Sequence, residues 1–188
     1  MKDLSLKEKY TKEVIPALKA KFGYTNEMAV PKIQKIVVNV GTGRMSQQAN
    51  FTDKLLPAVV SELTAITGQK PRTNPSKKSI AGFKMREGTV VGVSVTLRGA
   101  RMYDFLDKMN KIVFPRVRDF KGLETKGIDA AGNFTVGFKE HTVFPEINAE
   151  NSKADFGVQV TVVTNIGDRE EAAELYRLMG IPLKKVMG

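Results

Sequence analysis

Four stretches of the chain alternate apolar and polar residues with the two-residue period of a β-strand. In Lys32–Val40, Ile36, Val38 and Val40 alternate with Lys35, Val37 and Asn39. In Thr89–Arg98, Val91, Val93, Val95 and Leu97 oppose Val90, Gly92, Ser94, Thr96 and Arg98. In Gly132–Lys139 the apolar set is Phe134, Val136 and Phe138, against Asn133, Thr135, Gly137 and Lys139. In Phe156–Asn165 it is Phe156, Val158, Val160 and Val162, against Gly157, Gln159, Thr161, Val163 and Asn165. One apolar and one polar face on every strand predicts an antiparallel sheet covered by helices on a single side.

Helical spacing fills the intervals between these strands. Leu4, Tyr10, Val14, Leu18 and Phe22 predict a first helix, with Pro16 as a kink or a new start. Phe51, Leu55, Leu56, Val59, Val60, Leu63 and Ile66 predict a second, ended by Gly68, although Pro57 sits awkwardly inside it. Met102, Phe105, Leu106, Met109 and Val113 place a third over Ala100–Val113. Asp168 caps the last, with Glu171 three residues on as the partner of a capping box. Gln69–Gly88 fits neither period: it reads as a short strand followed by a long basic loop, a class of segment that is usually functional or disordered. Strands and helices mix without a regular βαβ repeat, so the fold class is α+β, and residues 1–188 form a single domain from which a basic loop, 74–88, protrudes.

Charge turns this framework towards a polyanion. The net charge is +10, and it is uneven. Lys70, Arg72, Lys77, Lys78, Lys84, Arg86, Arg98 and Arg101 stand against Glu87 alone between positions 70 and 101, while acids outnumber bases from Glu140 onwards. Nucleic acid is the leading partner, with an anionic membrane surface as the second candidate. The first helix argues against the membrane, because Asp3, Glu8 and Glu13 are interspersed with its lysines. The polar strand faces are rich in amides and hydroxyls, which suit phosphate, 2′-hydroxyls and base edges. They hold no aromatic pair to stack unpaired bases, which favours a folded or helical RNA over a single strand.

Enzyme readings find little purchase. The chain has no cysteine and one histidine, His141, which excludes disulfides, thiolate sites and zinc sites built on several histidines. His141 has no patterned Ser or Asp partner and reads as an edge-strand or loop residue; nothing positions Glu140 and Glu146 as a catalytic pair. Gly41-Thr-Gly-Arg44 follows a strand but lacks the phosphate-loop patterns, so it reads as a turn whose Arg44 neutralises an RNA phosphate. No catalytic residue, metal or cofactor is expected. No apolar run has the length of a signal peptide or membrane span, and a soluble, cytoplasmic protein is expected.

Several longer runs resemble a known family. Leu63-Thr-Ala-Ile-Thr-Gly-Gln-Lys-Pro71, Lys77-Lys-Ser-Ile-Ala-Gly-Phe-Lys-Met-Arg-Glu-Gly88, Val95-Thr-Leu-Arg-Gly-Ala-Arg-Met-Tyr103, Pro115-Arg-Val-Arg-Asp-Phe-Lys-Gly122, Gly132-Asn-Phe134 and Phe144-Pro-Glu-Ile147 are similar to motifs of the bacterial large-subunit ribosomal protein L-five family, in the same order, over about Lys7 to Pro182. The resemblance implies a structural protein of the central protuberance, monomeric within the ribosome. It would hold 5S rRNA on its sheet face and help attach it to the large-subunit rRNA. It implies RNA contacts at Lys35, Asn39, Gln69, Thr96 and Arg98; of these, Lys35, Asn39, Thr96 and Arg98 already fall on the polar faces. It also implies that the basic loop, with Lys77, Lys78, Phe83, Lys84 and Arg86, faces P-site tRNA, and that an exposed part near the sheet edge meets a small-subunit head protein at the intersubunit bridge. The chain departs from the family at Arg72-Thr73-Asn74, where an aliphatic pair and a threonine are usual, and at Asp129-Ala-Ala-Gly-Asn133, which lacks the usual arginine.

Overall fold

The computed structural model describes residues 4–83, 85–150, 152 and 154–184. Its strands are β1 (Ile33–Gly41), β2 (Arg72–Pro75), β3 (Val90–Leu97), β4 (Phe134–Phe138) and β5 (Val158–Thr164), in one antiparallel sheet of order β2-β3-β1-β5-β4. The alternation holds along each long strand. On β1, Ile36, Val38 and Val40 are buried, while Lys35, Val37 and Asn39 are half-buried. On β5, Val158, Val160 and Val162 are buried, and Gln159 is exposed. On β3 two residues depart: Gly92, of the polar set, is buried, and Val91, of the apolar set, is only half-buried.

Among the described residues, four helical segments flank the strands. The first, α1, comprises Leu6–Lys9, Tyr10–Val14 and Ile15–Phe22; α2 comprises Phe51–Leu55 and Leu56–Thr67; α3 comprises Gly99–Lys108, Met109–Val113 and Phe114–Arg116; α4 is Arg169–Leu178. Three of them contain a proline, and all three solve the same problem in the same way. A proline within a helix lacks an N–H, and its ring strikes the carbonyl four residues back. Here Tyr10–Val14, Phe51–Leu55 and Met109–Val113 widen into π turns. Ile15, Leu56 and Phe114 donate instead to carbonyls five back, those of Tyr10, Phe51 and Met109. Pro16, Pro57 and Pro115 then fall in the first turn of the following α-helical stretch, where no donor is required. Pro57 is thus accommodated rather than disruptive. Gly68, at φ +66°, closes α2 with its N–H on the Thr64 carbonyl.

The helix starts are capped differently from the expectation. Ser5 and Glu8 form a reciprocal capping box at α1. At α4, Asp168 accepts from the Glu170 N–H at 2.8 Å, but Glu171 does not close the box: its carboxylate takes the Tyr24 hydroxyl. Burial, together with that contact, pushes the Tyr24 phenol up to about 12.

The chain divides into two compact units whose boundaries fall inside β1, β3, β4 and β5. The first holds residues to Ile36, Leu97–Val136 and those from Thr161 on. Leu18, Ile36, Leu97, Met109, Leu175 and Tyr176 are among its fully buried side chains. Tyr176 is wholly buried, and its hydroxyl donates to the Gly132 carbonyl (2.7 Å), which the Thr164 hydroxyl also reaches (3.1 Å). Gly132 cannot carry a side chain here, since its φ is +73° and a Cβ would lie 2.9 Å from the Ile166 carbonyl oxygen. Just before it, Asp129 organises the turn into β4. Its Oδ1 accepts from the Ala131 and Asn133 N–H groups (2.9 and 2.8 Å), and its Oδ2 accepts from the Asn133 amide (2.9 Å).

The second unit holds Val37–Thr96 and Gly137–Val160. Val38, Val40, Val59, Leu63, Ile66, Val93 and Val95 are buried there. His141, predicted as an edge or loop residue without partners, lies in a loop but is 1% exposed and stacks on Phe156 at 4.0 Å between ring centroids. Its Nε2 sits 2.9 Å from Ser152 Oγ, and that hydroxyl reaches Glu62 Oε1 on α2 at 3.0 Å. Glu62 Oε2 is also 3.1 Å from Nε2, but it makes no properly directed hydrogen bond. The serine hydroxyl thus bridges imidazole and carboxylate, and the Ala154 carbonyl lies within its reach at the same 3.0 Å. This relay fastens the β4–β5 connection to α2. It is no catalytic triad: among the described residues Nδ1 has no hydrogen-bonding partner, and the Asp155 carboxylate is 3.9 Å away.

Two outcomes follow. Ser152→Ala breaks the relay and strands a buried imidazole, so urea unfolding should show a loss of about 1–3 kcal/mol, with exchange protection falling first in the 141–157 segment. The hydrogen bonds from Asn133 and Ala131 hold the Asp129 carboxyl below its ordinary value. A depressed folded-state value means the stabilisation is fully present above the unfolded carboxylate range, about 3.9, and is lost as pH falls from there through the lower folded-state value. Asp129→Asn should therefore lower the melting temperature at neutral pH, with the gap to the parent closing in acid; a gap that stays constant with pH would contradict this assignment.

Candidate nucleic-acid interface

The second unit brings three of the expected RNA-contacting residues onto or beside the polar side of the strands. Asn39, on β1, is half-buried. Thr96, near the end of β3, is exposed. Gln69 follows Gly68 at the end of α2, and its Nε2 donates to the Thr96 carbonyl at 3.4 Å. The α2 cap thus sets where the Gln69 side chain lies. Thr67 reinforces it, donating from its hydroxyl to Leu63 O (2.7 Å) and Gln69 O (3.1 Å).

The turn after β1 is fastened by Thr42, whose N–H donates to Val91 O (3.0 Å) and whose hydroxyl donates to Val90 O (3.3 Å). Arg44 protrudes from this turn, exposed. In the first unit, Lys35 is half-buried on the polar side of β1, four residues before Asn39. Arg98 is exposed at the residue preceding α3, and its side chain makes no capping bond, so the guanidinium is available.

The basic loop is more ordered than a structureless excursion. β2 pairs antiparallel with β3, Arg72 opposite Ser94, Thr73 opposite Val93 and Asn74 opposite Gly92, with an irregularity before Pro75. Beyond it the backbone keeps pairing: Ser76 N–H to Thr89 O (2.8 Å), Gly88 N–H to Ser76 O (3.0 Å), and Ile80 with Met85 in both directions (3.0 and 3.2 Å). The segment is a narrow hairpin arm, with Ala81–Phe83 forming a single turn at its far end. Lys77, Lys78 and Arg86 are exposed along it, and Ile80 is 46% exposed. Lys84 lies outside the described residues.

Ion pairing within the chain takes up some of its cations and leaves others, among them the candidate contacts. Lys19, Lys21, Lys111, Arg118, Arg177 and Lys184 are engaged with carboxylates. Among the described residues, none of Lys35, Arg44, Arg72, Lys77, Lys78, Arg86 and Arg98 has an acidic partner. Unpaired cations accompanied by amides and hydroxyls suit a phosphate-bearing ligand. Among the described residues there is also no cluster of acids and histidine that could hold a metal, and no helix long and apolar enough to cross a membrane. Sequence reasoning left Asn74 unassigned. It recognised a short strand near Gln69 but not its register, and only the pairing with β3 reveals which way Asn74 faces.

Comparison with known proteins identifies the family. The family model described as Ribosomal protein L5 matches residues 26–86, and the model of that ribosomal family's C-terminus matches residues 90–183. The large ribosomal subunit protein uL5 of Carboxydothermus hydrogenoformans is 50% identical over 180 residues, 96% of this chain and 98% of the relative. Those of Streptococcus equi subsp. zooepidemicus and Streptococcus thermophilus are 51% and 50% identical over the same shares. With both halves of the sequence matched and half the residues shared across nearly its whole length, this chain belongs to the ribosomal protein L5 family, a structural and non-catalytic constituent of the large ribosomal subunit, in the cytoplasm as part of the ribosome.

Proposed function

We propose that the chain binds 5S rRNA through the polar side of its strands and helps attach it to the large-subunit rRNA. In this reading the hairpin arm extends towards P-site tRNA, and an exposed part near the sheet edge meets a small-subunit head protein across the intersubunit bridge. The observation that carries it is a set of cations with no acidic partner among the described residues, Lys35, Arg44 and Arg98, together with the hydrogen-bonding groups of Asn39, Gln69 and Thr96. In the mechanism, lysine and arginine supply affinity by releasing counterions from phosphate, which is indifferent to sequence. Asn39, Gln69 and Thr96 fix the register. The Gln69–Thr96 bond lets one of these residues brace another before RNA arrives. On the arm, Lys77, Lys78 and Arg86 would meet the tRNA backbone.

Filter binding of the full-length protein to 5S rRNA, with bulk tRNA as competitor, tests the reading. Binding should survive excess tRNA, and with about five phosphate contacts its log–log salt slope should be roughly −4 to −5. Binding that tRNA abolishes would reduce the surface to a generic polyanion patch. Arg98→Ala should weaken 5S rRNA binding by about 1–3 kcal/mol, and parental affinity in that variant would remove Arg98 from the interface. Neutralising Lys77, Lys78 and Arg86 together should leave 5S rRNA affinity nearly intact while weakening tRNA retention on reconstituted ribosomes.

A further inference from the structure

We propose that β2 carries a second reading element of the RNA surface. Asn74 and Ser94 together hydrogen-bond to ribose 2′-hydroxyls and base edges in the minor groove of an RNA helix, and Arg72 on the same strand binds a neighbouring phosphate. This rests on the reading above that RNA occupies the polar side of the strands.

The register places the residues. Arg72 is paired with Ser94 and Asn74 with Gly92. Side chains of directly paired residues share one side of a sheet, so Arg72 and Asn74 stand on the side that presents Ser94 and Thr96. Thr73, opposite the buried Val93, faces the other way.

The hydrogen bonding then sets the polarity. Asn74 Nδ2 donates to Ser94 Oγ at 2.9 Å. The serine oxygen already accepts, so its own hydrogen is left to give. The Asn74 Oδ1 has no bonding partner among the described residues, so it is left to accept. One donor and one acceptor in fixed orientation match a 2′-hydroxyl, which is both.

Gly92 explains the spacing. A Cβ there would lie 3.9 Å from Asn74 Nδ2, 3.9 Å from Asn39 Oδ1 and 3.3 Å from the Val40 carbonyl oxygen. The two amides thus converge over the one residue of β3 with no side chain, which is also why Gly92 is buried on a polar face. Hydrogen-bonding groups thus stand on β1, β3 and β2, and Arg72 accompanies them on β2, exposed and, among the described residues, without an acidic partner. A cross-strand Asn–Ser pair serving only the fold would require no free cation beside it. The set holds no aromatic ring on which to stack an unpaired base, so a helical groove is the better match.

The experiment uses the full-length protein and a 5S rRNA transcript over a range of salt. Asn74→Ala should weaken binding about tenfold at every salt concentration, within the range a specific polar contact commands. Arg72→Ala should weaken it mainly at low salt and flatten the log–log slope by roughly one unit. Melting temperature serves as the fold control. Asn74→Asp keeps the side-chain shape and can accept from Ser94, so it preserves the fold while setting a carboxylate against phosphate. It should bind more weakly than Asn74→Ala. If Asn74→Asp and Arg72→Ala both bind like the parent while Arg98→Ala does not, this inference is overturned and the wider reading stands. If the parent itself fails to prefer 5S rRNA to tRNA, the wider reading falls and takes this one with it.

Discussion

A strand turns successive side chains to opposite faces, so a sheet whose apolar residues all fall on one parity has one face that must be covered and one that must stay wet. In this chain the constraint reaches from the first strand to the last. Ile36, Val38 and Val40 on β1, and Val158, Val160 and Val162 on β5, commit those strands to a single orientation. A slip of register by one residue would bury Lys35, Asn39 and Gln159 and expose the valines. The polar surface is therefore a consequence of the core. The same strands that bury their valines on one side fix Asn39 and Thr96 on the other.

The helices had to be built around prolines without losing that cover. Three π turns do so at a modest cost, since the N–H groups involved are redirected to carbonyls five residues back rather than lost. The benefit is continuity. In α2, Phe51, Val59, Leu63 and Ile66 remain buried in spite of Pro57. The far end of the same helix then delivers Gly68 and Gln69 to the Thr96 carbonyl. A break at Pro57 would have cut the element whose tail places a candidate RNA contact.

Much of this was legible in the sequence, because periodicity reports burial directly. The strand faces, the four helices and the Gly68 stop all follow from spacing. Three features did not. The Asp168–Glu171 box failed because Tyr24, remote in sequence, competes for the Glu171 carboxylate. The His141 relay depends on Glu62 and Ser152, 79 positions before and 11 after it, a constellation no local pattern announces. The direction in which Asn74 faces depends on the β2–β3 register, and the long arm between the strands makes that register unreadable from turn length. In each case local reasoning named the residues but could not see a partner brought in by the fold.

The unpaired cations raise a question of energy as well as recognition. Surface ion pairs contribute little to stability, about 0–1 kcal/mol each, so leaving Lys35, Arg44, Arg72 and Arg98 without carboxylates forgoes little. It does leave an isolated chain of net charge +10 repelling itself. That repulsion is relieved when phosphates replace the missing carboxylates, and a ligand that binds only the folded chain stabilises it in proportion to its affinity. The distribution of charge thus couples folding to assembly. Pairing these residues internally would improve the isolated protein slightly and weaken the particle it helps to build, because each internal carboxylate would have to be displaced before a phosphate could take its place.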